Sequence, residues 1–501
     1  MKQVVSQNWI ILLILFIGFC LRFYGINQKS FYEDEAYSLQ QISDLSFGQL
    51  AFTIFDPGHT PLYYLLTKWL TQFLGISEFS LRILSAGASF LSIWFIYQVG
   101  KIIYSETVGM MAAALLTFSP LSVVYGQMAR PYGLFTLWAI ASLYAFIQYF
   151  RTKKLLFFLF FFLICFLGLA THGLFLTVLA AYLLFLILSA RKMPLWEIGK
   201  WGVGLVILSI LFYQFLLDRY LAAFLYKSAP DVLSLSVWVR IAVAFFGLTL
   251  GETVNPFNWP VVLPAIISFG ITGIAGTLYS LRSRNPWIIL VLVCLFLPLA
   301  AWIYLGANSP RLISYAVPFF LLLISFGIDK VPWPRVWKFV LFLFIVIPQT
   351  ISVYFWHTGN PNQFFNANLL IPWKEIAQDI QKEKKSGEMV LLHPDTYLPL
   401  IQYYSPKEGG HWVALPEEGF EKKLKKTLEV KPDSFWLLSG PNSTQGKKIR
   451  MENFSCYQPI YQKGYTLNPV LVDFLKFGIK KEVFATQIYH WQRLPKCNED
   501  T

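Results

Sequence analysis

Long apolar runs separated by short polar stretches fill the first 356 residues of this 501-residue chain, and the pattern changes abruptly after Trp356. A helix needs about 20 mostly apolar residues to cross the hydrocarbon layer of a membrane. By that measure the runs predict eleven spans, at 8–26, 80–103, 106–125, 132–150, 155–171, 173–189, 197–217, 259–281, 286–306, 311–328 and 337–356. Short connections rich in Lys and Arg stay cytoplasmic. With the N-terminus on that side, Arg151, Lys153 and Lys154 fall there, as do Arg191 and Lys192, Arg282 and Arg284, and Lys330, Arg335 and Lys338. An odd number of spans then puts everything after Trp356 on the extracytoplasmic face. The first run begins at Lys2 and has no small-residue cleavage site after it, so it reads as an anchor rather than a removed signal.

Two stretches of the membrane part do not fit a simple span. Segment 27–79 is too polar at its start, and its second half, 61–75, is amphipathic and reads as a helix lying at the outer interface. Segment 236–250 is apolar enough to cross, but counting it would move Arg282 and Arg284 outside, so it reads as interfacial or re-entrant. Beyond 356 the period shortens. Helices are expected at 372–385 and 420–428, and strands at 388–393, 435–439 and 482–491, which together make a small α/β domain. The expected fold class is a polytopic α-helical membrane protein (residues 1–356) with a C-terminal extracytoplasmic α/β domain (residues 357–501).

Composition agrees with this reading and excludes others. The chain is 56% hydrophobic, 18% aromatic and 14% charged, against about 45–50% apolar and about 25% charged for a soluble domain. That rules out a soluble enzyme and a disordered tail protein. Of the net charge of +13, residues 357–501 carry only about +3, with 17 Lys and 2 Arg against 5 Asp and 11 Glu. The excess lies with the cytoplasmic clusters, so nucleic acid is not an expected partner. The five Cys show no metal-type spacing, and a disulfide between Cys456 and Cys497 is compatible with an oxidising face. The sequons at Asn442 and Asn453 are too short to be informative.

The unusual polar residues of the membrane part gather in the connections expected outside. Phe31-Tyr32-Glu33-Asp34-Glu35-Ala36-Tyr37 puts three carboxylates in the first outer loop. Adjacent carboxylates repel, so such a cluster suits a cation, a metal, or a raised pKa for base work; the bland alternative is the acidic first turn of a helix. Later in that loop, Asp56-Pro57-Gly58-His59-Thr60-Pro61-Leu62-Tyr63-Tyr64 sets a His before an aromatic interfacial helix, either as a site residue or as part of a capping turn. Tyr125-Gly126-Gln127-Met128-Ala129-Arg130-Pro131-Tyr132 holds an Arg between aromatics, where it grips a phosphate or snorkels to the interface. Thr171-His172-Gly173 turns between two spans, and Asn308-Ser309-Pro310-Arg311 brings a second cation. The Phe stripe at 157–162 is packing or lipid-facing surface. No ionisable residue lies in the middle of an assigned span, where ion-coupled transporters usually keep one.

In this order these elements resemble the GT-C membrane glycosyltransferases, specifically bacterial relatives of the protein O-mannosyltransferases (glycosyltransferase family 39). Asp34-Glu35-Ala36 matches the family's Asp-Glu-Ala element. His59-Thr60-Pro61-Leu62-Tyr63-Tyr64 matches its His-Pro-Pro-Leu-Tyr-Tyr segment. The element from Tyr125 to Tyr132 looks like Tyr-Ser-Gln-Glu-Ala-Arg-x-Tyr, and Thr171-His172 like its Thr-His turn. The resemblance covers most of residues 10–190 and is weaker beyond. It implies inverting transfer of a sugar, by a hexosyl- or pentosyltransferase of mannosyltransferase-like type, from a polyprenyl-phosphate donor to an acceptor hydroxyl at the outer face of the cell membrane. The acceptor class stays open between protein, glycolipid and polysaccharide.

Carried over residue by residue, Asp34 is the base, and Glu35 positions the acceptor or assists a metal. Arg130 and Arg311 hold the donor phosphate, and His59, Tyr63, Tyr132 and His172 line the site. No cofactor is certain. For a divalent metal, Glu35, His59 and His172 are weak candidate ligands, and Met128 stands where the family often has Glu, which puts metal dependence in doubt. The competing classes are a lipid-linked sugar flippase and a non-catalytic envelope assembly subunit.

Overall fold

The computed structural model describes residues 2–53, 58–217, 236–283, 285–304, 309–359, 366–385, 387–393, 395–405, 412–416, 420–439, 456–465 and 486–494. Of the sequence features singled out above, Asp56, Pro57, Arg284, Asn308, Cys497 and both sequons lie outside the described residues. Cys456 is disulfide-bonded, while Cys20, Cys165 and Cys294 are free.

Among the described residues, eight helices are long and apolar enough to cross a membrane: Glu78–Ile103, Tyr132–Thr152, Phe175–Lys192, Leu195–Phe215, Trp259–Arg282, Pro286–Tyr304, Pro310–Lys330 and Arg335–Thr358. Glu106–Phe118 and Pro120–Gly126 make a ninth if the pair, bent by 56°, is one span. Of the other two expected spans, 8–26 lies on the 22-residue helix Lys2–Phe23, whose apolar part is Trp9–Phe23, and 155–171 is the shorter apolar helix Leu155–Leu169. The first enters from polar residues and turns at Gly25, whose φ is +66°. The second stops where Thr171 and His172 turn the chain back. The 236–250 segment is the apolar helix Val237–Leu250, which buries Val243, Ala244, Gly247 and Leu248. The expected interfacial helix at 61–75 is Leu62–Leu74; it buries Tyr63, Tyr64 and Thr67 and leaves Trp69 and Phe73 exposed.

The bend at 119–120 has a direct chemical cause. Pro120 has no amide hydrogen to give the carbonyl of Leu116, and the chain leaves helical geometry at Ser119 (φ −62°, ψ 116°). The buried Arg22, at the end of the first helix, meets the freed carbonyls. Its guanidinium donates to Leu116 O (2.8 Å), Thr117 O (3.0 Å), Gly18 O (3.3 Å), Ser89 Oγ (3.0 Å) and Ser122 Oγ (3.1 Å). All five donors of an Arg fork are thereby used, tying the first helix to the bend.

By internal contacts the chain forms two compact units, one of Met1–Ile26 with Ile42–Thr358 and one of Asn27–Gln41 with Gly359–Thr501. The step in charge density falls two residues before the division at 358/359. Nothing in that step reveals that the strip Asn27–Gln41 belongs with the tail. The tail has a five-stranded mixed sheet of order β2-β1-β3-β5-β4, from β1 (Met389–His393), β2 (Trp412–Ala414), β3 (Ser434–Ser439), β4 (Tyr457–Tyr465) and β5 (Thr486–Arg493). β1 pairs parallel with β2 and β3; β5 runs antiparallel to β3 and β4, setting Phe435 opposite Trp491.

One sheet face packs Leu391, Phe435, Leu437 and Trp491 against Leu424 of the helix Phe420–Leu428. Strands β2 and β4, and the short helix Leu398–Tyr404, are additions to the sequence expectation. Burial would raise the Glu388 carboxyl. Hydrogen bonds from Ser434, the Lys385 amide and Trp436, with His490 beside it at 3.2 Å, hold it below the usual range instead.

Replacing Arg22 by Met removes the guanidinium from Leu116 O, Thr117 O, Ser89 Oγ and Ser122 Oγ, at about 1–3 kcal/mol for each of these buried groups that finds no other partner. The R22M protein should therefore unfold at a clearly lower temperature in detergent than wild type, and lower than S122A, which removes a single acceptor. An unchanged midpoint for R22M would contradict this account of the bend.

Candidate active site

Within the first unit, three connections meet. His59 and His172 form an isolated antiparallel bridge. Around it, Thr60 N donates to Thr171 O (3.3 Å), Leu62 N to Ala170 O (2.9 Å) and Gly173 N to Gly58 O (2.6 Å). Thr60 Oγ1 donates to Leu169 O at 2.8 Å, serving a carbonyl at the end of the helix Leu155–Leu169. Gly58 holds φ +94°, and a Cβ there would lie 2.9 Å from His172 Cε1, so the close approach needs glycine.

The third connection, 127–131, is pinned by Gln127. Its Nε2 donates to Leu21 O (3.2 Å), Arg22 O (3.1 Å) and Tyr24 O (2.8 Å), at the end of the first helix, and Trp356 Nε1 donates to its Oε1 at 2.6 Å. Arg130 follows in a tight turn, its amide on Met128 O (2.8 Å) and its carbonyl accepting from Ser85 Oγ (2.6 Å). At Gly133 a Cβ would come within 2.4 Å of Ser85 O, so glycine lets the helix Tyr132–Thr152 start against Glu78–Ile103.

These constraints deliver a buried polar cluster walled by aromatic rings. His59 Nδ1 lies 3.0 Å from Tyr64 Oη, and its ring meets Tyr132 edge-on at 5.7 Å and His172 at 5.2 Å. Phe135 stacks on His172 (4.7 Å, 1°) and on Tyr315 (4.0 Å), whose hydroxyl pairs with Thr177 Oγ1 at 2.8 Å. His172 Nδ1 accepts from Leu174 N at 3.1 Å. Arg130 is 2% exposed. Burial first, then the positive charges of Arg130 and His172, push the His59 imidazole well below its ordinary value. Burial and the neighbouring positive charges thus hold His59 as a neutral imidazole.

The structure thus brings together His59, Arg130, Tyr132 and His172. Tyr63 is next in sequence to this cluster, but its hydroxyl donates to Leu81 O at 3.0 Å and ties the Leu62–Leu74 helix to Glu78–Ile103. Arg311 sits in the 3-10 turn Pro310–Ala316 that also carries Tyr315. Asp34 and Glu35 belong to the other compact unit, in the first turn of the helix Glu33–Asp44. Glu35, 1% exposed, reaches back to accept from Tyr32 N at 2.7 Å, as the third residue of a helix does in a capping box. Asp34 is half-buried. Among the described residues, no group of three or more His, Cys, Asp or Glu side chains gathers to hold a metal ion.

Sequence reasoning missed Glu252. It is 3% exposed and accepts a hydrogen bond from the hydroxyl of Tyr125, whose ring packs edge-on against Tyr132 at 5.3 Å. The signal was present: Glu252 is the sole acid between the apolar runs at 236–250 and 259–281. Met128, in the 127–131 turn, is buried too.

Residues 58–217 match the family model described as dolichyl-phosphate-mannose-protein mannosyltransferase. That stretch carries His59, Arg130, Tyr132 and His172. No curated protein matches the chain by sequence. Among solved structures, ArnT from Cupriavidus metallidurans in the apo state aligns over 97% of this chain and 98% of its own, at TM-score 0.61 and 12% identity. The same protein bound to undecaprenyl phosphate aligns over the same shares at TM-score 0.54 and 10% identity. The oligosaccharyltransferase AglB from Archaeoglobus fulgidus, in complex with an inhibitory peptide and a dolichol-phosphate, aligns over 88% of this chain and 70% of its own, at TM-score 0.54 and 11% identity. The chain has the GT-C glycosyltransferase fold, as its sequence resemblance implied.

The depressed pKa of His59 has a consequence for stability. Its folded value lies below the ordinary 6.5, so below that pH the unfolded chain takes up a proton that the folded site refuses. Stability is full above about pH 6.5 and falls as the pH drops, until the folded site itself protonates. Between about pH 6.5 and 5, the unfolding temperature of wild type should fall more steeply than that of H59Q. Parallel pH profiles for the two proteins would show that His59 is not held neutral.

Proposed function

We propose that this chain is a membrane glycosyltransferase that moves a sugar from a polyprenyl-phosphate donor to an acceptor hydroxyl on the extracytoplasmic face, with inversion at the anomeric carbon. The observation that carries the reading is the buried Arg130 beside a neutral His59, inside the segment that matches the mannosyltransferase family. Two further features support it. ArnT and AglB, which share the fold, have been captured with undecaprenyl phosphate and dolichol-phosphate. An apolar cavity of about 410 Å³, lined by Phe245, Phe269, Leu295 and Phe320 among others, has the chemistry a prenyl chain requires.

In this mechanism Asp34 takes the proton of the acceptor hydroxyl as its oxygen bonds to the anomeric carbon. The bond from that carbon to the phosphate oxygen breaks, and its electron pair leaves with the phosphate. Arg130, with Arg311 as the second cation, stabilises the charge that develops on the leaving group. One displacement gives one inversion. Glu35, by capping the first turn, holds Asp34 in place. His59, Tyr132 and His172 wall the phosphate end, and a neutral His59 adds no competing charge.

The test is transfer by the purified full chain from the lipid-linked sugar fraction of its own cell membranes, read as release of free polyprenyl phosphate. D34N should lose at least about a thousand-fold in turnover while binding donor lipid as wild type does. Turnover by D34N within a few-fold of wild type would remove Asp34 as the base.

A further inference from the structure

The strip Asn27–Gln41 leaves the membrane-helix unit in contact terms and joins the tail, and it carries Asp34. Its attachment is specific. The Phe31 amide donates to Tyr404 Oη at 2.8 Å, and the Phe31 ring, fully buried, packs edge-on against Tyr403 at 5.2 Å. One residue earlier, Ser30 Oγ accepts from the Lys374 amide at 3.1 Å, at the start of the helix Trp373–Glu383. Two residues later, Thr396 Oγ1 lies 3.5 Å from Glu33 Oε1. Three separate tail elements therefore touch the strip on both sides of the turn that begins the Glu33–Asp44 helix.

We infer that the C-terminal domain is a positioning platform for the catalytic loop, with Tyr404 as the positioning residue that fixes the Phe31 backbone and, through it, the first helical turn bearing Asp34. Phe31 lies three residues before Asp34. Between them, Tyr32 N is held by Glu35 Oε2 at 2.7 Å, and Tyr32 O accepts from Glu35 N (2.8 Å) and Ala36 N (3.1 Å). The turn is thus closed on itself, and it has little freedom once Phe31 is fixed. An aspartate that must meet an acceptor hydroxyl within hydrogen-bond reach loses rate when its backbone wanders by an ångström. A Tyr hydroxyl accepting a buried backbone amide limits that wandering. This role rests on the reading of Asp34 as the base.

The experiment uses the full chain as wild type, Y404F, F31A, F31L and D34N. Hydrogen exchange of the segment 31–41 reads the docking without reference to activity. Turnover on the polyprenyl-phosphate-sugar fraction of native membranes reads the function. In Y404F the exchange of 31–41 should rise about five-fold, kcat should fall by a similar factor, and KM for the donor fraction should stay within about two-fold. F31A should do the same to a greater degree, and F31L should recover part of the loss. Unchanged exchange in both Y404F and F31A overturns the docking. Raised exchange with unchanged kcat overturns the positioning role. A fall in kcat matched by an equal rise in KM also overturns it, because a mobile base loop does not weaken donor binding. Retained turnover in D34N would instead strike the reading of Asp34, and the exchange data would still decide the platform.

Discussion

A helix that ends among apolar neighbours leaves carbonyls that neither water nor the next turn can satisfy, and this constraint organises the whole membrane-helix unit. Three such endings occur where the polar residues concentrate. The first helix stops at Phe23, and Gln127 accepts the duty of its last carbonyls. The helix Glu106–Phe118 breaks before Pro120, and Arg22 covers that break. The helix Leu155–Leu169 stops short, and Thr60 and Leu62 take two of its final carbonyls. Each repair draws a connection to a fixed place. Together they bring His59, Arg130, Tyr132 and His172 into one buried cluster. The site is a by-product of satisfying the backbone, placed where helices are short or broken.

That origin also explains what the sequence could reveal. Hydrophobic run length is a one-dimensional property, and it located Glu78–Ile103, Trp259–Arg282 and Arg335–Thr358 to within a few residues. Run length does not show where a helix ends inside an apolar run, so 155–171 was expected as a full span, whereas its apolar helix is Leu155–Leu169, and 8–26 was expected to run three residues beyond Phe23, where the helix Lys2–Phe23 ends. His59 and His172 were each visible as unusual residues in connections. That they bridge, across more than a hundred residues, depends on a two-strand pairing with no sequence signature. Glu252 was hidden for a related reason: a lone acid between apolar runs looks like an interfacial residue until Tyr125 is placed against it. In the tail, β1 and β3 have the apolar character of buried strands and were legible, and β5 (Thr486–Arg493) overlaps the strand expected at 482–491. β4, whose Gln458, Pro459 and Gln462 are exposed, was not.

The two acidic residues of the Asp-Glu-Ala element now separate by chemistry. Glu35 spends one carboxylate oxygen on the Tyr32 amide and is almost wholly buried, so it is part of the scaffold of its turn. Asp34, one position earlier, is half-buried and is the base in the proposed mechanism. The cations divide likewise. Arg22 is fully committed to carbonyls and hydroxyls, whereas Arg130 is fixed through its backbone carbonyl on Ser85 and its charge lowers the His59 pKa. The net charge of +13 is therefore several unrelated things, and a single buried Arg among them carries the functional reading.

The central claim is that this buried cluster holds the phosphate of a polyprenyl-phosphate carrier. Native mass spectrometry of the purified chain in detergent, titrated with undecaprenyl phosphate or with the uncharged undecaprenol, tests it most directly. The account predicts one retained undecaprenyl phosphate per chain, little retained undecaprenol, and occupancy of the phosphate lowered about ten-fold or more in R130Q, the loss expected for one charge-assisted contact. Equal retention of the two lipids, or equal retention of the phosphate by wild type and R130Q, would contradict it.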